Sequence, residues 1–476
     1  MDRVPRLSTP VVLCAGDETD AAKLLRAANV LAAMGYQNVS VFNGGVAAWD
    51  ATGFEVFSGV NVPSKAFGEF VEHTYDTPRV PPEKLKEMMD TGEDIVVLDS
   101  RPMSEYHAMN IPLGVDVPGA ELVLRVHDLA PDPATTVVVN CAGRTRSIIG
   151  CQSLRNAGIP NKVIALENGT MGWHLAGFDL EYGNTRQYGN LSSDGLSVAM
   201  QRAADVRERF GVKSIDADTL AAWQADTTRT TYVFDGRDPT EFAAAHIKGA
   251  RPAPGGQLVQ ATDRYVGTLG ARIVCVDDNG VRATMTASWL VQIGWDAGIL
   301  EPGAIPMNET GAHVPKTAPV PSVPSINATQ LAARMIQTHV VDVGDSLSHR
   351  KAHIPGSRFA IRANMPDNLA DLPNDRPLAL TSSDGTLAAF AAADLRVAGT
   401  DREVMVLEGG TQAWKAAGLP LKEGFDGNLD PSVDFWYRPY DMDYAQEGAM
   451  KQYLSWEVNL VAQIERDGTT NFRTFN

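Results

Sequence analysis

One stretch of the chain combines a nucleophile with fixed positive charge: Asn140-Cys141-Ala142-Gly143-Arg144-Thr145-Arg146-Ser147. The apolar run 136–139 precedes it and a helical pattern over 147–157 follows, so a buried strand delivers Cys141 to a loop that turns into a helix. Ala142, Gly143 and Thr145 are small enough for the loop backbone to curl with its N–H groups pointing inward. Such a nest, backed by a helix N-terminus, holds an anion at its centre. Here the anion would be the Cys141 thiolate, the nucleophilic form of the side chain, and afterwards whatever it carries. Arg144 and Arg146 add two positive charges, and Ser147 is placed to cap the helix that follows.

The remaining cysteines, Cys14, Cys151 and Cys275, form no C-x-x-C pair, and the nine histidines form no metal-binding cluster. That excludes a zinc site and a disulfide framework, implies no cofactor, and fits a reducing cytoplasm. Cys14-Ala15-Gly16 repeats the start of the Cys141 loop, but Asp17 and Glu18 follow it and no arginine closes it. Neighbouring carboxylates disfavour a thiolate and repel anionic donors. Cys151 reads as core.

The elements that position this loop recur along the chain. Three segments share one ending: Gly44-Gly45-Val46-Ala47-Ala48-Trp49, Asn168-Gly169-Thr170-Met171-Gly172-Trp173 and Gly409-Gly410-Thr411-Gln412-Ala413-Trp414. The interval from Trp173 to Trp414 is about twice that from Trp49 to Trp173, so a further copy belongs between them. Apolar runs ending in acid reveal it, at Asp99, Asp235 and Asp342. Each is followed by a turn (Asn110-Ile111-Pro112, His246-Ile247-Lys248-Gly249 or His353-Ile354-Pro355-Gly356), a second apolar run and a helix.

Strand, helix, strand, helix in this order predicts an α/β fold of tandem modules. Each module is a parallel sheet with helices on both faces, about 100 residues long. Complete modules are expected over residues 77–185, 213–305 and 324–425, called here modules two, three and four. Residues 306–323, rich in proline, read as an extended linker, and a helix over about 195–210 bridges modules two and three. Residues 1–60 carry only the second half of a module, and half a sheet leaves apolar edges bare. That predicts a missing first half of roughly 50 residues or, as the alternative, packing of this half against another part of the array. Residues 426–476 form a C-terminal arm whose aromatic run Phe435-Trp436-Tyr437 offers either a packing arm or a homodimer contact. In register with Cys141, module three offers Asp277 and module four Ser382, while Cys14 falls one residue short. Modules three and four are therefore expected to be inactive.

The loop resembles the active site of the rhodanese family of sulfurtransferases, which carries Cys-x-x-x-x-Arg. The resemblance extends along nearly the whole chain through the Asp-x-Arg strand end (Asp99, Arg101), the Glu105-Tyr106 and Glu241-Phe242 pairs, His353-Ile354-Pro355-Gly356 and the tryptophan endings. It implies that Cys141 takes a sulfane sulfur from a donor such as thiosulfate, holds it as a persulfide against the loop N–H groups of Ala142, Gly143 and Thr145, and passes it to cyanide or a thiol. Arg146 then takes the loop-end position, while Arg144, with Arg101 nearby, would bind the sulfonate of the donor. Related folds with Cys-x5-Arg act as phosphatases, since the wider ring fits phosphate; the shorter ring here favours sulfur. A persulfide-carrying scaffold that works with a partner protein is the alternative, with a phosphatase or arsenate reductase behind it.

The chain of 476 residues is too long for one core. Its formal charge of −17 argues against nucleic acid or an anionic membrane as partner, though a small anionic substrate needs only a local positive pocket. No apolar run reaches the 18 or so residues of a membrane span, and no apolar signal core opens the sequence.

Overall fold

The computed structural model describes residues 1–16, 20–442 and 445–475. Among these, three five-stranded sheets repeat one topology. Counted in chain order, the strands of module two are Arg79–Val80, Ile95–Asp99, Val115–Asp116, Thr136–Asn140 and Val163–Leu166, and their spatial order is 1-5-4-2-3. Modules three and four have the same order, and all three sheets are parallel throughout. Val97, Leu98, Val137, Val138 and Val139 are all buried, as the central strands of a sheet covered on both faces must be. The turn after the second strand closes each module. Asn110, His246 and His353 each form an antiparallel bridge to the segment beyond the last helix, so Asn110 serves as well there as histidine.

The helix Thr145–Asn156, which follows the Cys141 loop, has buried residues on nearly every side. Small residues let it approach the sheet: a Cβ on Gly150 would come within 2.7 Å of Leu122 and 3.0 Å of Val139. The bridging helix spans Ser193–Arg209, and the Ser192 hydroxyl caps it by accepting from the Gly195 N–H. One apolar cluster runs from Leu98 and Val139 through Ile148 to Trp289 and Ile273, so modules two and three share a core.

Residues 1–315 and the C-terminal segment form one compact unit, and residues 316–443 another. The half-module contains a two-stranded parallel sheet, Val11–Leu13 with Val39–Val41, and the helix Ala21–Ala33, of which no residue is buried. Its Trp49 donates to the carbonyl six residues on, as Trp173 and Trp414 do. Yet Trp49 is 40% exposed where the others are 1–2% exposed, because half a sheet offers too little to cover it.

Two helices outside the modules were not both foreseen. Val62–Tyr75, which joins the half-module to module two, has no counterpart in the sequence reading. The arm contributes Gln446–Asp467, and the two pack together. Phe472, beyond the second helix, meets Phe67 and Phe70 at centroid distances of 5.1 and 5.2 Å. This end of the arm is thus packed within its own chain.

Candidate active site

The loop leaves the sheet at Asn140, and Cys141 is buried at 2% exposure. The shared tryptophan ending is the clamp that holds it. Thr170 donates its N–H and its hydroxyl to the Cys141 carbonyl, at 2.8 and 3.0 Å, and the Met171 N–H reaches the Ala142 carbonyl at 3.0 Å. Gly169, at φ 57°, lies against the carbonyls of Cys141 and Gly143, where a Cβ would collide with both. The same clamp bond joins Thr411 to Ser382 and Val46 to Ala15, both at 2.9 Å. It fixes the register independently: Cys141, Ser382 and Ala15 are equivalent, and Cys14 falls one residue short, as expected. In module three, Asp235 pairs with Val276 as Asp99 pairs with Asn140, which sets Asp277 in the Cys141 position.

What occupies that position in the other modules shows what the loop holds. Asp277 is buried and accepts the N–H groups of Gly280 at 2.6 Å and Ala283 at 3.0 Å. Burial pushes its carboxyl upward, and those two N–H bonds oppose the shift. Ser382 accepts from the N–H of Ala388 at 3.3 Å, again six residues on. The residue six beyond Cys141 is Ser147, whose hydroxyl is 3.5 Å from the Sγ and donates to the Arg144 carbonyl at 2.8 Å. Ser147 is therefore not the helix cap. The helix begins at Thr145, and Ser147 on its first turn faces the sulfur.

The loop side chains point outward into a charged frame. Arg144 is 6% exposed and donates to Glu69 at 2.6 and 2.7 Å, to Glu72 at 2.5 Å and to Asn168 at 3.2 Å. Its guanidinium pairs with two glutamates of the helix Val62–Tyr75. Thr145 donates to Glu457 at 3.1 Å, and Glu457 also receives Lys65 at 2.7 Å. Tyr453 bonds both Lys65 and Glu457. Arg101 is also held by acid. It is fully buried, gripping Asp99 through two bonds of 2.7 and 2.8 Å and the Met109 carbonyl at 2.7 Å, so it braces the strand end. Arg146 pairs with Glu105 at 2.8 and 3.0 Å and borders a cleft that Ser153, Met285 and Trp289 also line.

Arg282, five residues after Asp277, matches Arg146. It joins Glu241 of its own module to Glu121 of module two at 2.7 and 2.6 Å, so the degenerate loop of module three serves as an interface anchor. Module four has Gly344 where Arg101 and Arg237 stand, and the His349 Nδ1 meets Asp342 at 3.0 Å instead. Burial pushes the Cys151 thiol up to about 12 and the Cys275 thiol higher still, which disfavours the thiolate at both. Cys14 is exposed.

Sequence reasoning had missed Ser147's true position, Glu69, Glu72, Lys65, Tyr453 and Glu457. Pro63 and the apolar spacing of Phe67, Phe70 and Val71 were a usable signal for the first helix. Nothing local signals the pairing of Lys65 with Glu457.

Three parallel modules of one topology, one of them with a buried cysteine where its fourth strand turns into a helix, define a tandem rhodanese-class transferase. The rhodanese-like domain model matches residues 81–176, 216–304 and 327–417, and the chain belongs to that family. A crystal structure of a thiosulfate sulfurtransferase from Pseudomonas aeruginosa is 45% identical, with a TM-score of 0.94 over 100% of this chain and 90% of that one. A rhodanese-related protein from Thermoplasma volcanium is 25% identical over 21% of this chain and 98% of its own, with a TM-score of 0.20. A helix-turn-helix transcriptional regulator of Mycobacterium tuberculosis is 35% identical over 86 residues, which are 18% of this chain and 38% of that protein. No helix among the described residues is long and apolar enough to cross a membrane.

Proposed function

We propose that the chain moves a sulfane sulfur through a persulfide on Cys141. The Cys141 thiolate attacks the outer sulfur of thiosulfate, the S–S bond of the donor breaks, and sulfite leaves with the electron pair. Cyanide or a thiolate then attacks the terminal sulfur, and the Cys141 thiolate is the leaving group. Charge balances at each step, so the loop must stabilise one anion throughout. The observation that carries this reading is Asp277, a carboxylate held by two backbone N–H groups at the position that Cys141 occupies in module two. Those N–H groups favour the charged form against the cost of burial, and the same directions suit a thiolate or a persulfide.

In this reading Cys141 is nucleophile and carrier, and the loop of Ala142, Gly143 and Thr145 is its cradle. The Ser147 hydroxyl lies 3.5 Å from the sulfur. The Gly280 and Ala283 N–H groups that Asp277 accepts correspond to those of Arg144 and Ser147. Arg146 is the cation offered to the donor. Four unpaired cysteines suit a reducing compartment, the cytoplasm. In a thiosulfate:cyanide assay Cys141→Ala should lose all turnover, while Cys14→Ala and Cys151→Ala retain it. Turnover in Cys141→Ala would overturn the reading. Loading of Cys141 without repeated turnover would favour a sulfur carrier that depends on a partner protein.

A further inference from the structure

A cavity of about 750 Å³ opens at the end of the module three sheet opposite Asp277, where the strands Lys213–Ile215 and Asp296–Leu300 begin. None of residues 141–146 lines it. The end of the arm supplies the facing wall and is held there at three points. The Arg473 N–H donates to the Gln292 carbonyl at 2.7 Å, and the Phe472 ring packs on Phe67 and Phe70. Asn471 lies so close to Gly294 that a Cβ there would come within 2.7 Å of the Asn471 carbonyl oxygen. The wall is therefore built into the compact unit that also holds modules two and three.

The charged groups that line this cavity are Lys213, Arg229 and Arg473 with a single carboxylate, Asp296. Asp296 accepts from Lys213 at 2.6 Å and pairs with Arg229 at 2.8 Å, so one acid serves two cations. Both cations stay open to solvent, the Lys213 side chain at 58% exposure and that of Arg229 at 36%. Arg473 is exposed as well, and no carboxylate among the described residues pairs with it. The cavity is thus locally positive in a chain whose formal charge is −17.

Cations gathered around too few acids repel one another, and an anion placed among them relieves that repulsion. Two features say that the anion is organic. The volume falls in the ~300–1,000 Å³ range of pockets for organic ligands, more than a bare inorganic ion fills. The half-buried rings of Trp295 and Phe472 give it apolar walls. We propose that this cavity binds a small organic anion, its acidic head among Arg473, Lys213 and Arg229 and its apolar body against Trp295.

Titration calorimetry of the full chain with 2-naphthoate at neutral pH tests this. The expected result is saturable binding of one molecule per chain that weakens as salt is raised, because exposed charges are screened. Arg473→Gln should weaken binding about tenfold or more, since a hydrogen bond between charged groups is lost. 2-Naphthylmethanol, with the same rings and no charge, should not bind. Thiosulfate, with charge and no apolar body, should not displace the naphthoate at equal concentration. A measurement that needs no variant locates the ligand: bound naphthoate should slow acetylation of Lys213 and leave the exposed Lys248 unchanged. No saturable binding, equal binding by Arg473→Gln, equal binding of the alcohol, displacement by thiosulfate or an unprotected Lys213 would each overturn the proposal. None of these outcomes bears on the chemistry at Cys141.

Discussion

Ser147 stands 3.5 Å from the Cys141 Sγ and donates to the Arg144 carbonyl. Once the thiol is ionised, the same hydroxyl can turn toward the sulfur, where a hydrogen bond to a charged group contributes roughly 1.5–3 kcal/mol. Ser147→Ala should therefore lower kcat by about tenfold or more with little change in KM for thiosulfate, as steady-state kinetics would show. An equal rise in KM would instead place the hydroxyl on the substrate. Asp116 carries a second consequence at this scale. Burial first, and then Asp99, hold its folded-state carboxyl near 8, well above its unfolded value, so the native state binds the extra proton between about pH 4 and 8. The stability it contributes is present in full at the acid end and is lost as pH rises toward 8. Denaturant melts across this window should show that decline in the wild type, and Asp116→Asn should remove this component of it.

At the scale of elements, the loop is shaped by two helices that do not belong to its module. Val62–Tyr75 supplies Glu69 and Glu72 to Arg144, and Gln446–Asp467 supplies Glu457 to Thr145 and Lys65. Glu457→Ala strips a buried ammonium of its partner, a change that costs about 3–5 kcal/mol in comparable pairs. It should also free the backbone at Thr145, and misplacement of an active-site group by about 1 Å can lose 10²-fold in rate. Hydrogen exchange should speed up across residues 141–146 and kcat should fall, while unchanged exchange there would refute the pinning. The strand-loop-helix frame of Cys141 was legible in the sequence because its signals are local: an apolar run, small loop residues and a helical period. The frame around it was not. Lys65 and Glu457 lie nearly 400 residues apart in sequence, and the outward commitment of Arg144 follows from helices whose docking leaves no local trace. The repeat register was legible to the residue, because Asp99, Asp235 and the tryptophan endings each occupy a fixed place in the sheet.

At the scale of the molecule, modules two and three are one folding unit in energetic terms. A single apolar cluster crosses them, Trp289 donates to Ser153 at 2.8 Å, and Arg282 joins Glu121 to Glu241. Calorimetry should show these two modules melting in one transition. Arg282→Ala, which removes the link from Glu121 to Glu241 while Arg125 still pairs with Glu121, should lower that transition by an amount that matches about 1.5–3 kcal/mol. Separate melting of modules two and three would contradict the shared core. Module three fits this view: Asp277 accepts two N–H groups of its own loop, and Arg282 joins the two modules. The central claim remains that one cysteine, Cys141, carries the sulfur, and peptide mass spectrometry after exposure to thiosulfate tests it most directly. The predicted result is a single added sulfur on the peptide containing Cys141, removed by cyanide. An unmodified Cys141, or sulfur carried on Cys14, Cys151 or Cys275 instead, would contradict it.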